Sequence, residues 1–256
     1  MSVKGGSLVD IRTQAESVSG LASGVYANSG GQVSIDVESA GKLKITTTAD
    51  DAKAPDSNAY DVVGVFAAEG GNVSLSASDI AIEAHVGESS AKGSAAAVSS
   101  MYSGAHINIS GKEDHDNTMV FKATGKDMAA GLSAGEGANL TVTGGNKNDS
   151  IEIKTQSEKT SSLGIVGMGN SKVDMDGKGG QNSLDVEATF TGIQDGEEMV
   201  HFKGGREPGG LWQLTVLVAT QVKLISRIFK IYPLRLKPPR VATAGRMGCM
   251  LMLTMA

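Results

Sequence analysis

Cysteine is almost missing from this 256-residue chain, and the single Cys249 excludes an intrachain disulfide framework. Aromatic residues are nearly as scarce, at 4%, which rules out a thick core assembled around large rings. Acidic residues stop at Glu207. From Gly209 onward there are seven basic residues (Lys223, Arg227, Lys230, Arg235, Lys237, Arg240 and Arg246) and no acidic one, so removing them from the formal charge of -5 leaves -12 on the residues before. An acidic body repels nucleic acid and anionic lipid, and no nucleic-acid partner is expected. The opening Met1-Ser-Val-Lys-Gly-Gly-Ser-Leu8 has one basic residue but no apolar stretch of secretory length, so the chain as given is expected to carry no signal peptide.

Glycine, by contrast, supplies 34 positions, and 40% of the residues are hydrophobic. Aliphatic side chains punctuated by small turn-formers suit a thin core of stacked ladders better than a helical bundle.

A repeat follows at once. Gly24-Val-Tyr-Ala-Asn-Ser-Gly-Gly-Gln-Val-Ser-Ile35, Gly64-Val-Phe-Ala-Ala-Glu-Gly-Gly-Asn-Val-Ser-Leu75 and Gly131-Leu-Ser-Ala-Gly-Glu-Gly-Ala-Asn-Leu-Thr-Val142 each read as an apolar strand, a Gly-rich corner and a second, alternating strand. Ser100 to Ile109, with a corner that reads as shortened, and Gly164 to Met175 complete five copies. Each is followed by a third strand marked by Leu43/Ile45, Ile80/Ile82, Met119/Phe121, Ile151/Ile153 or Leu184/Val186. Val33, Val73, Ile107, Leu140 and Val173 occupy one position of the second strand and converge on a spacing of 33 residues. Val9 stands 34 residues before Leu43, so the array is expected to begin mid-coil with a third strand.

Alternation with a period of two buries one face of a strand and wets the other. One three-strand coil cannot bury its own apolar face, whereas coils stacked in register can. The expected fold is therefore all-β: a right-handed parallel β-helix of about five three-strand coils over residues 1–205, followed by an unrelated, irregular, basic tail over 206–256.

That tail holds the only Trp (Trp212), the only Cys and four of the five Pro (Pro208, Pro233, Pro238 and Pro239). Out-of-frame translation accounts for so abrupt a change. The competing reading is an interfacial helix over Leu211 to Val222, a run too short to span a bilayer.

No residue set demands chemistry. Lys112-Glu-Asp-His-Asp-Asn117 gathers acids around a histidine, but a hard cation needs six or more oxygens, and a solvated turn is the simpler reading. Gly144-Gly-Asn-Lys-Asn-Asp-Ser-Ile151 partly resembles the calcium-binding nonapeptide of repeat-in-toxin proteins. Lys147 replaces the third glycine and the unit does not recur every nine residues, so Asn146 and Asp149 read as corner residues. His85 and His106 lie on outward strand phases without an evident partner, and Asp174 and Asp176 share an outward face as solubilising acids. No catalytic, cofactor-binding or metal-ligating residue is assigned, and no cofactor is expected.

The Gly-Val-Tyr-Ala and Gly-Gly-Asn-Val-Ser-Leu repeats, the low aromatic content and the absence of cysteine before the tail resemble the β-helical passenger regions of bacterial autotransporters and related adhesins, over about residues 1 to 205. The resemblance implies a structural or adhesive surface stalk without catalysis, displayed at the cell surface or outer membrane, or extracellular, and contacting host or neighbouring-cell molecules. It also implies membrane attachment only through a translocator barrel, which this chain does not contain, and a chain that is a fragment of its parent. The alternatives are a β-helical polysaccharide-degrading enzyme and an inert product of an interrupted gene.

Overall fold

The computed structural model describes residues 1–52, 60–178 and 180–191, with the backbone of 198–206. Among them there is no helix, and three sheets account for every strand.

Sheet I collects the first strands of the coils: β3 (Ala22–Ala27), β6 (Val62–Ala68), β9 (Ala95–Met101), β12 (Met128–Gly135) and β15 (Ser161–Met168). Sheet II holds the second strands: β1 (Ser2–Lys4), β4 (Gln32–Asp36), β7 (Asn72–Ser76), β10 (His106–Ser110), β13 (Asn139–Thr143) and β16 (Lys172–Asp176). Sheet III takes the third strands: β2 (Leu8–Val18), β5 (Lys42–Ala52), β8 (Asp79–Val86), β11 (Asn117–Thr124), β14 (Asp149–Ser157) and β17 (Asn182–Phe190), with β18 (Glu198–Arg206) beyond them.

Each strand from β1 to β17 pairs in parallel with its counterpart one coil away, and the two other sides of the coil serve as the long crossover that parallel pairing needs. The result is a β-solenoid of about five turns. The register is the one the repeat predicts: Val33, Val73, Ile107, Leu140 and Val173 are successive partners, as are Leu43, Ile80, Met119, Ile151 and Leu184. Val9 pairs with Leu43.

Three expectations need correction. The array opens one strand earlier than predicted, because Ser2–Lys4 pairs with Ser34–Asp36. The corner of the third copy is longer, not shorter: Met101 and His106 align with Ala68 and Asn72, so four residues stand where the neighbouring coil has three. After β17 the next strand, β18, returns antiparallel along sheet III instead of continuing the parallel series. The rest of the predicted tail, and with it Leu211 to Val222, lies outside the described residues.

The core is a set of ladders. Ile45, Ile82, Phe121, Ile153 and Val186 stack in register and are all inaccessible to solvent. Burying each such side chain contributes about 1.5–3 kcal/mol.

Sheet I packs unusually close. A methyl group added at Gly24 would stand 2.6 Å from Ile45 Cγ2, and one at Gly64 2.5 Å from Ile82 Cγ2; at Gly131 and Gly164 it would overlap Ile153 and Val186. Each glycine therefore faces a β-branched residue across the coil. In the third coil the equivalent position is Ala97, and the ladder residue there is Phe121, which has one γ carbon where Ile has two.

Sheet I also departs from the one-face rule. β6 and β9 are buried along their whole length, because Val63, Phe66, Ala96, Ala130 and Val166 form a second apolar cluster on the outer face of the sheet. Unbroken runs such as Val62-Val-Gly-Val-Phe-Ala-Ala68 are what a strand buried on both faces requires.

Candidate functional site

The outer face of sheet I concentrates aromatic side chains that are rare elsewhere. Tyr26 and Phe66 occupy the same repeat position in adjacent coils, pair directly, and stack with ring centroids 5.7 Å apart and planes 10° apart. The next two positions of that column are Ser99 and Ser133, both buried. Tyr60 reaches this column, where its hydroxyl donates to Ser133 Oγ at 3.1 Å. Burial pushes the Tyr60 phenol up to about 12.

Beside this stack runs an open groove of about 590 Å³. Its rings come from Tyr26, Phe66 and Tyr102, its aliphatic surface from Leu21 and Ala68, and its polar groups from Ser23, Asn28 and Glu69. Phe66 is buried whereas Tyr26 is 49% exposed, an unusual outlay of aromatic surface for so ring-poor a chain.

The corners set the rim of this groove. Ser29-Gly30, Glu69-Gly70 and Glu136-Gly137 all have positive φ at both residues, the pattern of a type I′ turn, and each turn is closed by a backbone hydrogen bond such as Gly71 N to Ala68 O at 2.8 Å. In the third coil the additional residue is accommodated by Tyr102, whose φ of 71° is costly for a bulky side chain. That residue delivers the third ring of the groove.

The segments singled out from sequence are used for structure. In Lys112 to Asn117, Lys112 Nζ donates to Asp36 Oδ1 at 2.6 Å, Glu113 lies 3.6 Å from Lys178, and Asp116 accepts from Asn148 N. Among the described residues no group of three or more His, Cys, Asp or Glu is placed to hold a metal ion.

Asp149, from the glycine-rich segment, sits in a buried Asx ladder with Asn117 and Asn182 at the corner into sheet III. Its Oδ1 accepts from Asn117 Nδ2 at 2.8 Å and Gly145 N at 3.0 Å, and its own N–H donates to Asn182 Oδ1. Oδ2 is buried without a partner among the described residues. Desolvation holds this carboxyl above the usual carboxylate range, outweighing the hydrogen bonds that oppose it.

No family model, curated protein or solved structure matches this chain.

His85 and His106 do point outward, on different sheets. His85 Nδ1 is 3.3 Å from Thr124 Oγ1 and Nε2 is 3.9 Å from Glu83; burial lowers its pKa and Glu83 only partly offsets this. His106 is exposed, with Nδ1 3.3 Å from Asn139 Nδ2. Asp174 is held by Lys172 at 2.7 Å and shares its strand face with Asp176. The structure does not bring His85, His106 and Asp174 into one cleft, whereas Asp176 and Asp149 line one small pocket beside Asn182. What it does assemble, the ring-lined groove, was not read from the sequence, where its one trace is the placing of Tyr26 and Phe66 at equivalent repeat positions.

Proposed function

We propose that this chain is a non-catalytic rod module of an autotransporter-like surface protein, a structural and adhesive stalk whose outer faces meet molecules of host or neighbouring cells. The observation that supports it is the unbroken register of the coils. A solenoid whose every strand is hydrogen-bonded to the next coil is stiff along its axis, and its outward positions are free to vary without disturbing the ladders. In this reading residues 1–205 are the stalk and 206–256 a separate basic segment. The parent stands at the cell surface.

The test is adhesion of the full chain. Beads coated with the purified protein, passed over epithelial and bacterial cell layers, are expected to be retained several-fold more than albumin-coated beads. Equal retention of the two would overturn the adhesive reading.

A further inference from the structure

We infer that the groove on the outer face of sheet I is a glycan-binding site, taking a chain of uncharged sugars across Tyr26, Phe66 and Tyr102. This deepens the adhesive reading and rests on it only for where the ligand would be met.

Three observations converge on that chemistry. Three aromatic side chains from three successive coils share one groove, in a protein whose few rings were free to lie anywhere along the rod. Aromatic surface with a polar handle packs against the C–H faces of sugar rings while leaving their hydroxyls to be hydrogen-bonded. The polar groups for those hydroxyls stand beside the rings: Asn28, whose Oδ1 already accepts from Ser29 N at 2.7 Å, and the Glu69 carboxylate, whose Oε2 accepts from Ser29 Oγ at 3.5 Å. The backbone of Tyr102 takes the left-handed conformation that Ser29, Glu69 and Glu136 take at the other corners, at greater cost for a bulky side chain, and its ring completes the lining.

Charge selects among sugars. Among the described residues Glu69 is the one acidic side chain in the lining and no Lys or Arg stands there, on a body of net charge -12, so uronate and sialylated chains are repelled. A peptide is the poorer match. Along the groove floor the main-chain groups of β3 and β6 are engaged with each other, so a peptide strand would have to add at the outer edge of β3, on the side away from β6 and from the Phe66 and Tyr102 rings.

Isothermal titration of the full chain with cellohexaose, N-acetylchitohexaose and a galacturonate hexamer tests this. At least one of the two neutral oligosaccharides is expected to bind and the galacturonate not to bind. Tyr26→Ala is expected to weaken binding about tenfold while Tyr26→Phe retains it, because the stacked ring and not the hydroxyl supplies the contact. Tyr26 is half exposed, and an unchanged thermal transition will show that the Ala variant folds. Failure of both neutral sugars to bind, binding of galacturonate alone, or neutral-sugar binding indifferent to Tyr26→Ala would each overturn the inference. Beads that adhere to cells equally well with Tyr26→Ala, in the absence of sugar binding, would sink the glycan site and leave the adhesive reading standing. Sugar binding by a chain whose beads do not adhere would do the reverse.

Discussion

Asp149 carries a cost that its neighbours do not. Asn117 and Asn182 present neutral amides to the same ladder, whereas Asp149 buries a carboxyl whose Oδ2 has no partner among the described residues. Its folded-state pKa is raised, so the proton is held more tightly in the folded chain than in the unfolded one. The stability this group contributes is fully present below its unfolded pKa of about 3.9 and is lost as pH rises through the raised folded value. Asp61, fully buried with its carboxyl likewise raised by desolvation, works in the same direction. Asp149→Asn is expected to stabilise the protein by about 1 kcal/mol at pH 7 and to give no gain at pH 3. Urea denaturation at the two pH values measures this; a loss of stability at pH 7 would show that the charge is needed. The sequence identified Asp149 as a corner residue but not as part of a buried ladder, because its partners Asn117 and Asn182 stand one coil away on either side, and nothing local marks them.

At the scale of the strand, the three kinds of side differ in how legible they were. Sheets II and III have one wet face, so their period-two alternation registers directly in segments such as Val33-Ser-Ile-Asp-Val37. The middle strands of sheet I, β6, β9 and β12, are buried on both faces, their alternation vanishes, and the outer cluster was invisible to a rule that assumes one wet side. The glycines that open its copies were legible as a pattern, but their cause lies across the coil, in the γ-methyl groups of Ile45, Ile82, Ile153 and Val186. Gly131→Ala is therefore expected to cost about 1–3 kcal/mol through overpacking against Ile153. Adding Ile153→Phe, which reproduces the Ala97 and Phe121 pairing of the third coil, is expected to recover part of that loss. A double-mutant cycle by chemical denaturation reads the coupling. Strictly additive effects would mean that the two positions do not constrain one another.

For the whole molecule, a fixed spacing of aliphatic residues was enough to give the coil count, the parallel pairing and the register, because stacking one coil on the next is the only way such a thin coil buries its apolar face. Two features escaped that logic. The antiparallel return of β18 breaks the repeat and so carries no signature within it. The groove depends on where the corner of one coil places Tyr102 relative to rings one and two coils away, a distance the repeat alone does not encode.

The stacking itself is open to one direct measurement. Ser34, Ser74, Asn108, Thr141 and Asp174 are successive partners across sheet II, so residues 34 and 174, 140 positions apart in sequence, are separated by four strand spacings. Nitroxide labels on cysteines introduced at Ser34 and Asp174, with Cys249→Ser, are expected to give a single narrow distance near ~19 Å by pulsed electron paramagnetic resonance. A broad distribution, or a distance well beyond 30 Å (about half as long again as the stack allows), would contradict a solenoid of coils in register.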